Sequence, residues 1–553
     1  MKSTKILDSI SRSSGDAQSP KTGSWRRIAP SYENRLSPCT LLCPCAENIP
    51  IWMHLVREKK FEEAWRELIK ENPFPLICGR VCYRFCEAQC NRKEQGERVS
   101  INAVERFLGQ YAVEHGLTTT PYTGEKNGLR VAIIGGGPSG LSAAHFLARS
   151  GFAVSIYDSH AELGGMLRYG IPEYRLPKEL LARELGAMVT SLGIELHMNA
   201  HIDTTFEQVA SEYDFVVVSV GAHRSRALLD DHGREFPFMS GLQFLSRVAD
   251  KSMTTLPPDT HHICVIGGGN TAIDVARSAK RLGAAIVTVI YRRTEEDMPA
   301  HKDEIEAAKK EGVQFMFLTI PVWSYFDMLF RVRLECMAVQ GEPEGGKKLP
   351  PVRIPNSQFG IDCDMVLSAI GEEVDLDFLG SRDHTFTSED DVRGGRIYSS
   401  GDALYGPRSV SEAIASGKKV AEAIIARVSG SAKEPRPAAL GDGDVKFYYL
   451  NKRRKNPEIL NERSLTAEEL RSFAETTFTI TSEQAVEEAD RCINCGSCIA
   501  CDRCLDFCPD FSITKQDGVY VIDLDMCKGC GLCAQVCERG AIVFGKEQGD
   551  VNT

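Results

Sequence analysis

Ten of the chain's 20 cysteines lie near its C-terminal end, between Cys492 and Cys537. Eight of them form two runs with the spacing C-x2-C-x2-C-x3-C, and a proline follows only the first run. The first run is Cys498, Cys501, Cys504 and Cys508, and the second is Cys527, Cys530, Cys533 and Cys537. Two-residue spacers let a loop turn successive thiolates toward neighbouring irons of a [4Fe-4S] cluster. Zinc knuckles and a disulfide framework are the alternative interpretations.

The doubled run resembles that of bacterial-type ferredoxins, in which the fourth cysteine of each run binds the other cluster. This resemblance assigns one cluster to Cys498, Cys501, Cys504 and Cys537, and the other to Cys508, Cys527, Cys530 and Cys533. It predicts an α+β ferredoxin domain with two [4Fe-4S] clusters over residues 486–553.

Seven more cysteines lie between residues 39 and 90, on either side of an amphipathic helical stretch. They are Cys39, Cys43, Cys45, Cys78, Cys82, Cys86 and Cys90. The C-x3-C spacing of the last three places successive thiolates near one face of a helical turn, as a cluster or metal site requires. Some of the seven could be small buried apolar residues instead, and Cys45 and Cys78 are the two we expect in that role.

The segments PCTLLCPCAENIP, NPFPLICGRVCYRFCEAQCNR and VSINAVERF resemble the N-terminal iron–sulfur domain of the glutamate synthase small-subunit family. That family includes the N-terminal part of dihydropyrimidine dehydrogenase and an NADH-dependent ferredoxin:NADP oxidoreductase subunit. The resemblance implies an α-helical domain over residues 31–125 with two further [4Fe-4S] clusters. It assigns one cluster to Cys43, Cys82 and Cys86, with Glu105 where dihydropyrimidine dehydrogenase uses a glutamine oxygen.

The other N-terminal cluster departs from the family pattern. In the family, a C-x2-C pair within the sequence EAxRCxxCG precedes the position of Cys39, where this chain has SYENRLSP. The family's sequence occurs instead near the other end of the chain, as EADRCINCG around Cys492 and Cys495. We hypothesise that this distant pair folds back to join Cys39 and Cys90. Fifteen cysteines and Glu105 would then supply four ligands to each of four clusters. Alternatively, Cys492 and Cys495 are spare, or they are alternative ligands for the ferredoxin clusters.

A glycine-rich turn follows the apolar strand pattern that begins at residue 129. Gly135, Gly137 and Gly140 have the dinucleotide-binding spacing between a strand and a small-residue helix, the context that this fingerprint requires. The N-terminus of that helix would face the pyrophosphate, and Asp158, at the end of the next strand, would accept hydrogen bonds from a ribose.

Two further segments resemble the flavin-binding parts of the same family. The segment GGMLRYGIPEYRLPK contributes Gly165, Leu167 and Arg168, and the family resemblance places it against the flavin. Far downstream, the family uses the pair equivalent to Gly401 and Asp402 to bind the ribityl chain. The helix starting near Val410 would lie beside the isoalloxazine ring. The resemblance therefore implies that the first dinucleotide is FAD.

The strand–turn–helix pattern occurs a second time between the two flavin segments, with Gly267, Gly269, Asn270, Thr271 and Ala272 in the turn. The following strand ends in Arg292 and Arg293 rather than in an acid. Arginine pairs with a 2′-phosphate that an acid would repel, so the pattern favours NADP. Glu295 and Glu296 could instead bind the ribose of NAD, and a solvated arginine pair is the other alternative.

The chain, with 553 residues, is too long for one core, and the pattern predicts a multidomain protein with two Rossmann-like α/β domains. The predicted order is a flexible tail (1–30), a helical [4Fe-4S] domain (31–125), the FAD domain in two parts (126–250 and 373–430) around an NAD(P)-binding domain (251–372), a linker (431–485) and the ferredoxin domain (486–553).

The composition restricts the partners and the compartment. A net charge of −11 argues against nucleic acid or an anionic membrane as a binding surface. We expect no membrane span, because no stretch of about 18 uncharged apolar residues occurs. The first residues contain no apolar core of a secretory signal, and together with the cysteine clusters this predicts a cytoplasmic protein.

These cofactors together indicate electron transfer. A nicotinamide exchanges a hydride, a [4Fe-4S] cluster exchanges one electron, and a flavin can do both, so no catalytic side chain is predicted. The domain combination resembles electron-transfer subunits of 2-oxoacid oxidoreductases such as phenylglyoxylate dehydrogenase. The expected partners are NAD(P)(H) and a ferredoxin or such a catalytic subunit. The alternatives are a self-standing NAD(P)H:ferredoxin oxidoreductase, a glutamate synthase small subunit and a non-catalytic redox sensor.

Overall fold

The structure is a computed structural model of the chain. It describes residues 23, 26–203, 205–230, 232–326, 332–340, 343–344, 347–348, 352–379, 386–389, 395–430, 436–441, 443–447, 466, 468–516 and 519–545. Most of the predicted N-terminal tail and the middle of the predicted linker lie outside these ranges. Within them, no helix has the length and apolar character needed to cross a membrane.

Short helices build the N-terminal region. Their bounds are Pro38–Leu42, Ile49–Arg57, Phe61–Leu68, Pro75–Val81, Phe85–Ala88 and Ile101–Glu114, with a 3₁₀ turn at Asn91–Gln95. Pro38, Pro50 and Pro75 each stand in the first turn of a helix, where proline's missing N–H has no partner to lose. Trp52 and Leu108 are fully buried in the core that the helices share. Helix packing therefore fixes the loops that carry the cysteines.

The first parallel sheet contains the flavin fingerprint. Its strand order is Ile397–Ser399, Phe215–Val218, Arg130–Ile134, Ala153–Tyr157 and Glu195–His197. The helices of this region are Pro138–Ala148, Met166–Tyr169, Lys178–Leu192, Phe206–Ser211, Asp402–Tyr405 and Val410–Ser429. The central strands are continuous buried apolar runs, as expected for a parallel sheet covered on both faces. The strand Ile397–Ser399 comes from the second predicted FAD part and pairs with Phe215–Val218 of the first, so both parts share one sheet.

The two FAD parts pack through a small residue. In the helix Val410–Ser429, a Cβ added to Gly417 would lie 2.0 Å from the carbonyl oxygen of Ser139. We expect Gly417→Ala to destabilise the protein by about 1–3 kcal/mol and to lower its FAD content, because backbone atoms cannot move away easily. Thermal unfolding and bound-flavin absorbance measure both effects. Gly186→Ala, at an open site in the helix Lys178–Leu192, should instead stabilise by about 0.5–1 kcal/mol. Equal effects would contradict the packing argument.

The second parallel sheet contains the other glycine turn. Its strand order is Gln314–Met316, Ile286–Ile290, His262–Ile266, Met365–Ser368 and Met239–Ser240. Its helices are Gly241–Ala249, Asn270–Arg281 and Lys302–Lys310. An antiparallel sheet of Thr319–Phe326, Val332–Gln340 and Val352–Cys363 lies beside it, with short pairs at Pro343–Glu344/Lys347–Lys348 and Arg224–Ser225/Glu372–Glu373. The strand Met239–Ser240 belongs to this sheet, although the NAD(P) domain was predicted to start at residue 251. The predicted boundary was too late because a two-residue strand has no sequence pattern.

The C-terminal region contains the helices Ser482–Asp490, Arg503–Asp506 and Leu532–Val536. Two 3₁₀ turns, at Asp377–Leu379 and Glu469–Arg471, precede it in the chain. Ile513–Gln516 and Val519–Ile522 form an antiparallel hairpin. The last strand, Ile542–Gly545, pairs with Ala29–Tyr32. This strand begins inside the predicted tail, and it joins the start of the described chain to its C-terminal region.

Candidate functional site

The pair Cys492 and Cys495 is held against the N-terminal helices. The preceding helix places Ala485 and Ala489 in the same apolar core as Trp52. Asn494 Nδ2 donates to the carbonyl oxygen of Pro50 at 2.6 Å. Because buried residues make these contacts, the segment that follows the helix Ser482–Asp490 belongs to the helical region, although it was predicted within the ferredoxin domain.

Four thiols from three distant parts of the chain meet at this place. Burial raises the pKa of the Cys39 thiol, and the neighbouring charges of Cys492, Cys495 and Cys90 raise it further. Asn91 Nδ2 lies 3.5 Å from Cys495 Sγ and donates to it. The structure thus brings together the four residues of the fold-back hypothesis. A metal centre bound here would stabilise the thiolate forms that burial and mutual repulsion disfavour.

The second N-terminal group consists of Cys43, Cys82, Cys86 and Glu105. Burial raises the pKa of Cys82, to about 12, and the charges of Glu105 and Cys43 add to the effect. Burial likewise raises the pKa of Glu105, and Asn72 Nδ2 donates to its carboxylate at 3.0 Å. The structure therefore places the Glu105 carboxylate near Cys43 and Cys82, and Cys86 near the same two thiols. The role of Glu105 as a ligand stays a prediction.

Cys45 and Cys78, the predicted apolar residues, are each 2% exposed beside this group. Cys45 Sγ lies 3.5 Å from the carbonyl oxygen of Ser411, and Cys78 Sγ lies 3.8 Å from Asn72 Oδ1. Both pack in the core that the helical region shares with the FAD sheet.

The crossed pairing of the ferredoxin-like runs agrees with the geometry. One small cavity is lined by Cys508 of the first run together with Cys527, Cys530 and Cys533 of the second. In the other group, burial raises the pKa of Cys498, and the charges of Cys501 and Cys537 raise it further. The pKa of Cys504 is likewise raised by burial and by the charges of Cys498 and Cys501.

No three Cys, His, Asp or Glu side chains within the described ranges converge closely enough for a single metal ion. A [4Fe-4S] cluster differs from a zinc ion, because each thiolate binds its own iron at a separate corner. The cysteines of such a cluster therefore stand further apart than zinc ligands do. Ligation by the four groups stays a prediction, and the thiol-rich donor sets fit it. The thiols of the two N-terminal groups are buried or half-buried, whereas Cys498, Cys501 and Cys530 of the ferredoxin-like groups are exposed.

Arg539 lies between the helical region and the C-terminal region. Its guanidinium is 3.9 Å from Cys501 Sγ, and its charge also acts on Cys492 and Cys495. The hydroxyl of Tyr32 lies 3.1 Å from Cys504 Sγ. The group of Cys498 therefore neighbours the fold-back group, which consists of Cys39, Cys90, Cys492 and Cys495. The group of Cys530 lies on the other side of the group of Cys498.

A cleft of about 870 Å³ opens at the carboxyl edge of the first sheet. A volume in this range suits a large cofactor. Of the ten residues predicted to bind FAD, six line this cleft: Gly135, Gly137, Asp158, Gly165, Asp402 and Val410. Gly140, Leu167, Arg168 and Gly401 do not line it. Gly140 and Gly401 pack against neighbouring elements, Leu167 lies in the core, and Arg168 pairs with Glu162.

Asp158 is fixed in this cleft by local hydrogen bonds. Gly136 N–H and His160 N–H donate to its carboxylate at 2.7 and 2.8 Å. Burial would raise its pKa, but the hydrogen bonds from His160 and Gly136 outweigh burial and hold the pKa below its usual value. The carboxylate is therefore ionised and can accept further hydrogen bonds from a ribose. His160 was not among the predicted site residues, although its place two residues after the acid was a usable signal.

The first turn of the helix Val410–Ser429 lies between the cleft and the thiols. Ser409, Val410 and Ala413 line the cleft. Cys82 Sγ lies 3.8 Å from Ser411 Oγ, and Ser411 is 2% exposed. A single helical turn thus separates the cleft from the Cys82 group. No sequence signal marks Ser411, because its role depends on a contact across 329 residues of chain.

The second glycine turn leaves space beside Gly269 for a phosphate group. A Cβ on Gly267 would lie 2.1 Å from Ala369 O, whereas one on Gly269 would meet nothing within 4 Å. Gly269 precedes the helix Asn270–Arg281, whose N-terminus has no side-chain cap. Asn270 Oδ1 accepts from His301 N–H, and Ala272 is fully buried. The turn can therefore present free N–H groups to a pyrophosphate.

The two arginines that favour NADP and the two glutamates that could bind the ribose of NAD differ in their surroundings. Lys309 Nζ donates to Glu295 at 2.5 Å, which holds this acid in an ion pair. Glu296 is exposed. Among the described side chains, none forms an ion pair with Arg292 or Arg293. Both arginines are therefore available to an anionic group.

A buried charge network joins the flavin segment to the second sheet. Arg175 Nη1 contacts both carboxylate oxygens of Asp274, at 2.8 and 3.0 Å, and its Nε contacts Glu304 at 3.2 Å. The ring of Tyr83, between Cys82 and Cys86 in the chain, stacks on His301 with 5.2 Å between centroids. These contacts fix the NAD(P)-type domain against both the flavin segment and a cysteine loop.

Comparison with known proteins identifies relatives of this architecture. The chain is 34% identical over 70% of its length to the NADP(+)-dependent formate dehydrogenase subunit beta of Moorella thermoacetica, and it spans 59% of that protein. It is 30% identical over 83% of its length to the NADPH-Fe(3+) oxidoreductase subunit beta of Geobacter sulfurreducens, spanning 75% of that protein. It is 31% identical over 70% of its length to the glutamate synthase [NADPH] small chain of Escherichia coli, spanning 88% of that protein.

Family models match three parts of the chain. The pyridine nucleotide-disulphide oxidoreductase model matches residues 129–417, and the dihydropyrimidine dehydrogenase domain II 4Fe-4S model matches residues 33–117. The 4Fe-4S binding domain model matches residues 520–543. The resemblance to the glutamate synthase small-subunit family is thereby confirmed. The chain therefore belongs to the pyridine nucleotide-disulphide oxidoreductase family, as a glutamate synthase small-subunit-like, FAD- and NAD(P)-dependent oxidoreductase that carries [4Fe-4S] domains.

Proposed function

We propose that this oxidoreductase passes electrons between NADP(H) and an iron–sulfur partner through FAD and four [4Fe-4S] clusters. The helical region and the C-terminal α+β region would each hold two clusters. The observation that carries the proposal is the position of Ser411, between the cleft assigned to FAD and Cys82 Sγ. With FAD in the cleft and a cluster at Cys82, this shared helical turn would keep the path between them short.

Each cofactor has a proposed set of binding residues. Gly135, Gly137 and Asp158 would hold the FAD pyrophosphate and ribose, with Asp402 and Val410 at the other end of the cleft. The four clusters would be held by Cys43, Cys82, Cys86 and Glu105; by Cys39, Cys90, Cys492 and Cys495; by Cys498, Cys501, Cys504 and Cys537; and by Cys508, Cys527, Cys530 and Cys533. Bound FAD supplies the conversion between a hydride and single electrons.

The chain's own side chains position these groups. Asp158 would orient the ribose, and the Arg175 network fixes the nicotinamide-binding domain against the flavin segment. The helix that starts at Val410 excludes water between the cleft and Cys82, because Ser411 is buried. No side chain needs to act as nucleophile, general acid or general base.

We expect Arg292→Ala and Arg293→Ala together to raise KM for NADPH by about 100-fold and to leave KM for NADH nearly unchanged. Loss of two charge-assisted contacts to a 2′-phosphate, each contributing about 1.5 kcal/mol because Arg292 is exposed and Arg293 half-buried, would have this effect. Steady-state reduction of a viologen dye measures both constants. Arg353→Ala, on the outer strand Val352–Cys363, is the matched control. An equal rise in both KM values would contradict NADP preference.

A Cys82→Ala variant tests the route directly. After anaerobic addition of NADPH, we expect its flavin to bleach while its remaining clusters stay oxidised. The wild-type protein should show reduction of both. Cluster reduction in the variant at the wild-type rate would exclude entry through the group of Cys82.

The partner is proposed as a catalytic subunit of a 2-oxoacid-type oxidoreductase or as a ferredoxin. Two relatives are named as subunits of NADP- or NADPH-linked enzymes, which supports a role within a complex. Reduction of a ferredoxin by the purified chain alone would instead favour a self-standing NAD(P)H:ferredoxin oxidoreductase.

A further inference from the structure

The cysteine group furthest from the flavin cleft lies at the protein surface. Arg539 connects the fold-back group with the group of Cys501, which leaves Cys508, Cys527, Cys530 and Cys533 as the distal group. Cys530 of this group is exposed to solvent, as are Cys498 and Cys501 of the neighbouring group. Under the proposed function, electrons that travel outward along the groups reach the surface here.

Three large apolar side chains surround this distal group. Phe507, Phe511 and Leu532 are 50%, 61% and 38% exposed. Phe507 precedes Cys508, Phe511 N–H donates to the carbonyl oxygen of Cys508, and Leu532 lies between Cys530 and Cys533 in the chain. Phe511 also has a φ of +50°, an uncommon conformation for an aromatic residue. Exposed apolar groups concentrated at one place indicate an interaction surface.

The charges around this apolar patch are acidic. Residues 497–545 contain seven acidic and four basic side chains. All four basic side chains already pair with acids: Arg503 and Arg539 with Glu538, Lys515 with Asp502, and Lys528 with Asp510. Asp506, Asp523 and Asp525 are exposed near the distal cysteines. Arg26 also reaches this place, where its guanidinium donates to the carbonyl oxygen of Cys527 at 2.9 Å. The acidic side chains of this region still outnumber the basic ones, so the rim is net negative and complements a positively charged partner.

We infer that Phe507, Phe511 and Leu532, with their acidic rim, form the docking surface for an electron-accepting protein whose redox centre lies in an apolar area ringed by Lys or Arg. This inference rests on the proposed function and narrows its partner. A catalytic subunit with a basic surface fits, whereas an acidic free ferredoxin would be repelled. Small apolar centres with charged rims are typical of specific electron-transfer contacts.

Cytochrome c is a suitable probe, because it is a basic protein that accepts one electron beside a lysine-ringed haem edge. Under anaerobic conditions one NADPH gives two electrons and a proton, and two ferric haems become ferrous. The test compares wild type with the double variant Phe511→Asn, Leu532→Gln. Asparagine tolerates a positive φ, and glutamine is compatible with a helix. Val352→Ser, at an apolar position with 62% exposure elsewhere, is the control.

We expect the double variant to reduce cytochrome c about tenfold more slowly than wild type, the effect of losing one or two central interface side chains. Its reduction of methyl viologen and its bound iron should match wild type. The second variant is Asp506→Asn, Asp523→Asn, Asp525→Asn. Rising salt concentration should slow its reduction of cytochrome c less than it slows that of wild type. The Val352→Ser protein should behave as wild type in every assay.

Two outcomes separate the inference from the proposed function. A wild-type protein whose clusters stay oxidised after NADPH addition would overturn the proposed function and this inference with it. A wild type with reducible clusters, together with patch and rim variants that reduce cytochrome c at the wild-type rate and with wild-type salt dependence, would overturn the docking surface alone.

Discussion

Cys39→Ala and the double variant Cys492→Ala, Cys495→Ala should lose the same cluster, which corresponds to about four irons of about sixteen. The thiols of Cys39, Cys90, Cys492 and Cys495 lie together although more than 400 residues separate the first from the last. A [4Fe-4S] cluster without two of its four thiolates is not retained. Iron analysis and low-temperature EPR of the reduced proteins measure the loss and identify the missing signal.

The control for this experiment is Cys336→Ala, which changes a buried cysteine in the antiparallel sheet beside the second parallel sheet. It should keep all the iron. If the Cys492/Cys495 variant retained full iron while Cys39→Ala lost a cluster, the fold-back hypothesis would be wrong. The pair would then be spare, as the alternative interpretation states.

Arg175→Met should destabilise the protein by about 3–5 kcal/mol, the usual cost of breaking a buried ion pair by removing one partner. Arg175 and Asp274 are 9% and 7% exposed in their side chains, so the carboxylate left behind would be buried and unpaired. Chemical denaturation monitored through the flavin measures the change. The variant should also transfer electrons from NADPH more slowly, because this pair fixes the second sheet's domain against the flavin segment.

Two comparisons make this prediction specific. Arg175→Met combined with Asp274→Leu should cost less than Arg175→Met alone, because no uncompensated charge remains. Arg66→Met removes an ion pair whose partners are 42% and 51% exposed, and it should cost less than about 1 kcal/mol. A single variant as stable as the Arg66→Met control would show that the network does not hold the domains together.

Much of the architecture was predictable because its signals are local. The two glycine turns fall between a strand and a helix, as their spacing indicated, and Ala272 is buried where the fingerprint expects close packing. The fold-back of Cys492 and Cys495 was predicted by counting ligands against a family pattern. The structure brings that pair to Cys39, and ligation itself stays to be measured.

Other features could not be predicted, because they depend on contacts between distant segments. The pairing of Ala29–Tyr32 with Ile542–Gly545 joins opposite ends of the chain, and four-residue strands have little pattern of their own. The contact of Ser411 with Cys82 and the pairing of Arg175 with Asp274 are of the same kind. Polar residues at such positions are common in any sequence. Only the fold shows which of them meet.

Anaerobic stopped-flow mixing of the wild-type protein with NADPH shows whether electrons pass from the nicotinamide through FAD to the clusters. Flavin absorbance near 450 nm and the broader cluster absorbance are followed together, using FAD-free protein as the reference. We expect the flavin to bleach first and the cluster absorbance then to fall in the same molecules, while FAD-free protein shows neither change. Clusters that stay oxidised after the flavin is reduced, or that are reduced equally fast without FAD, would contradict it.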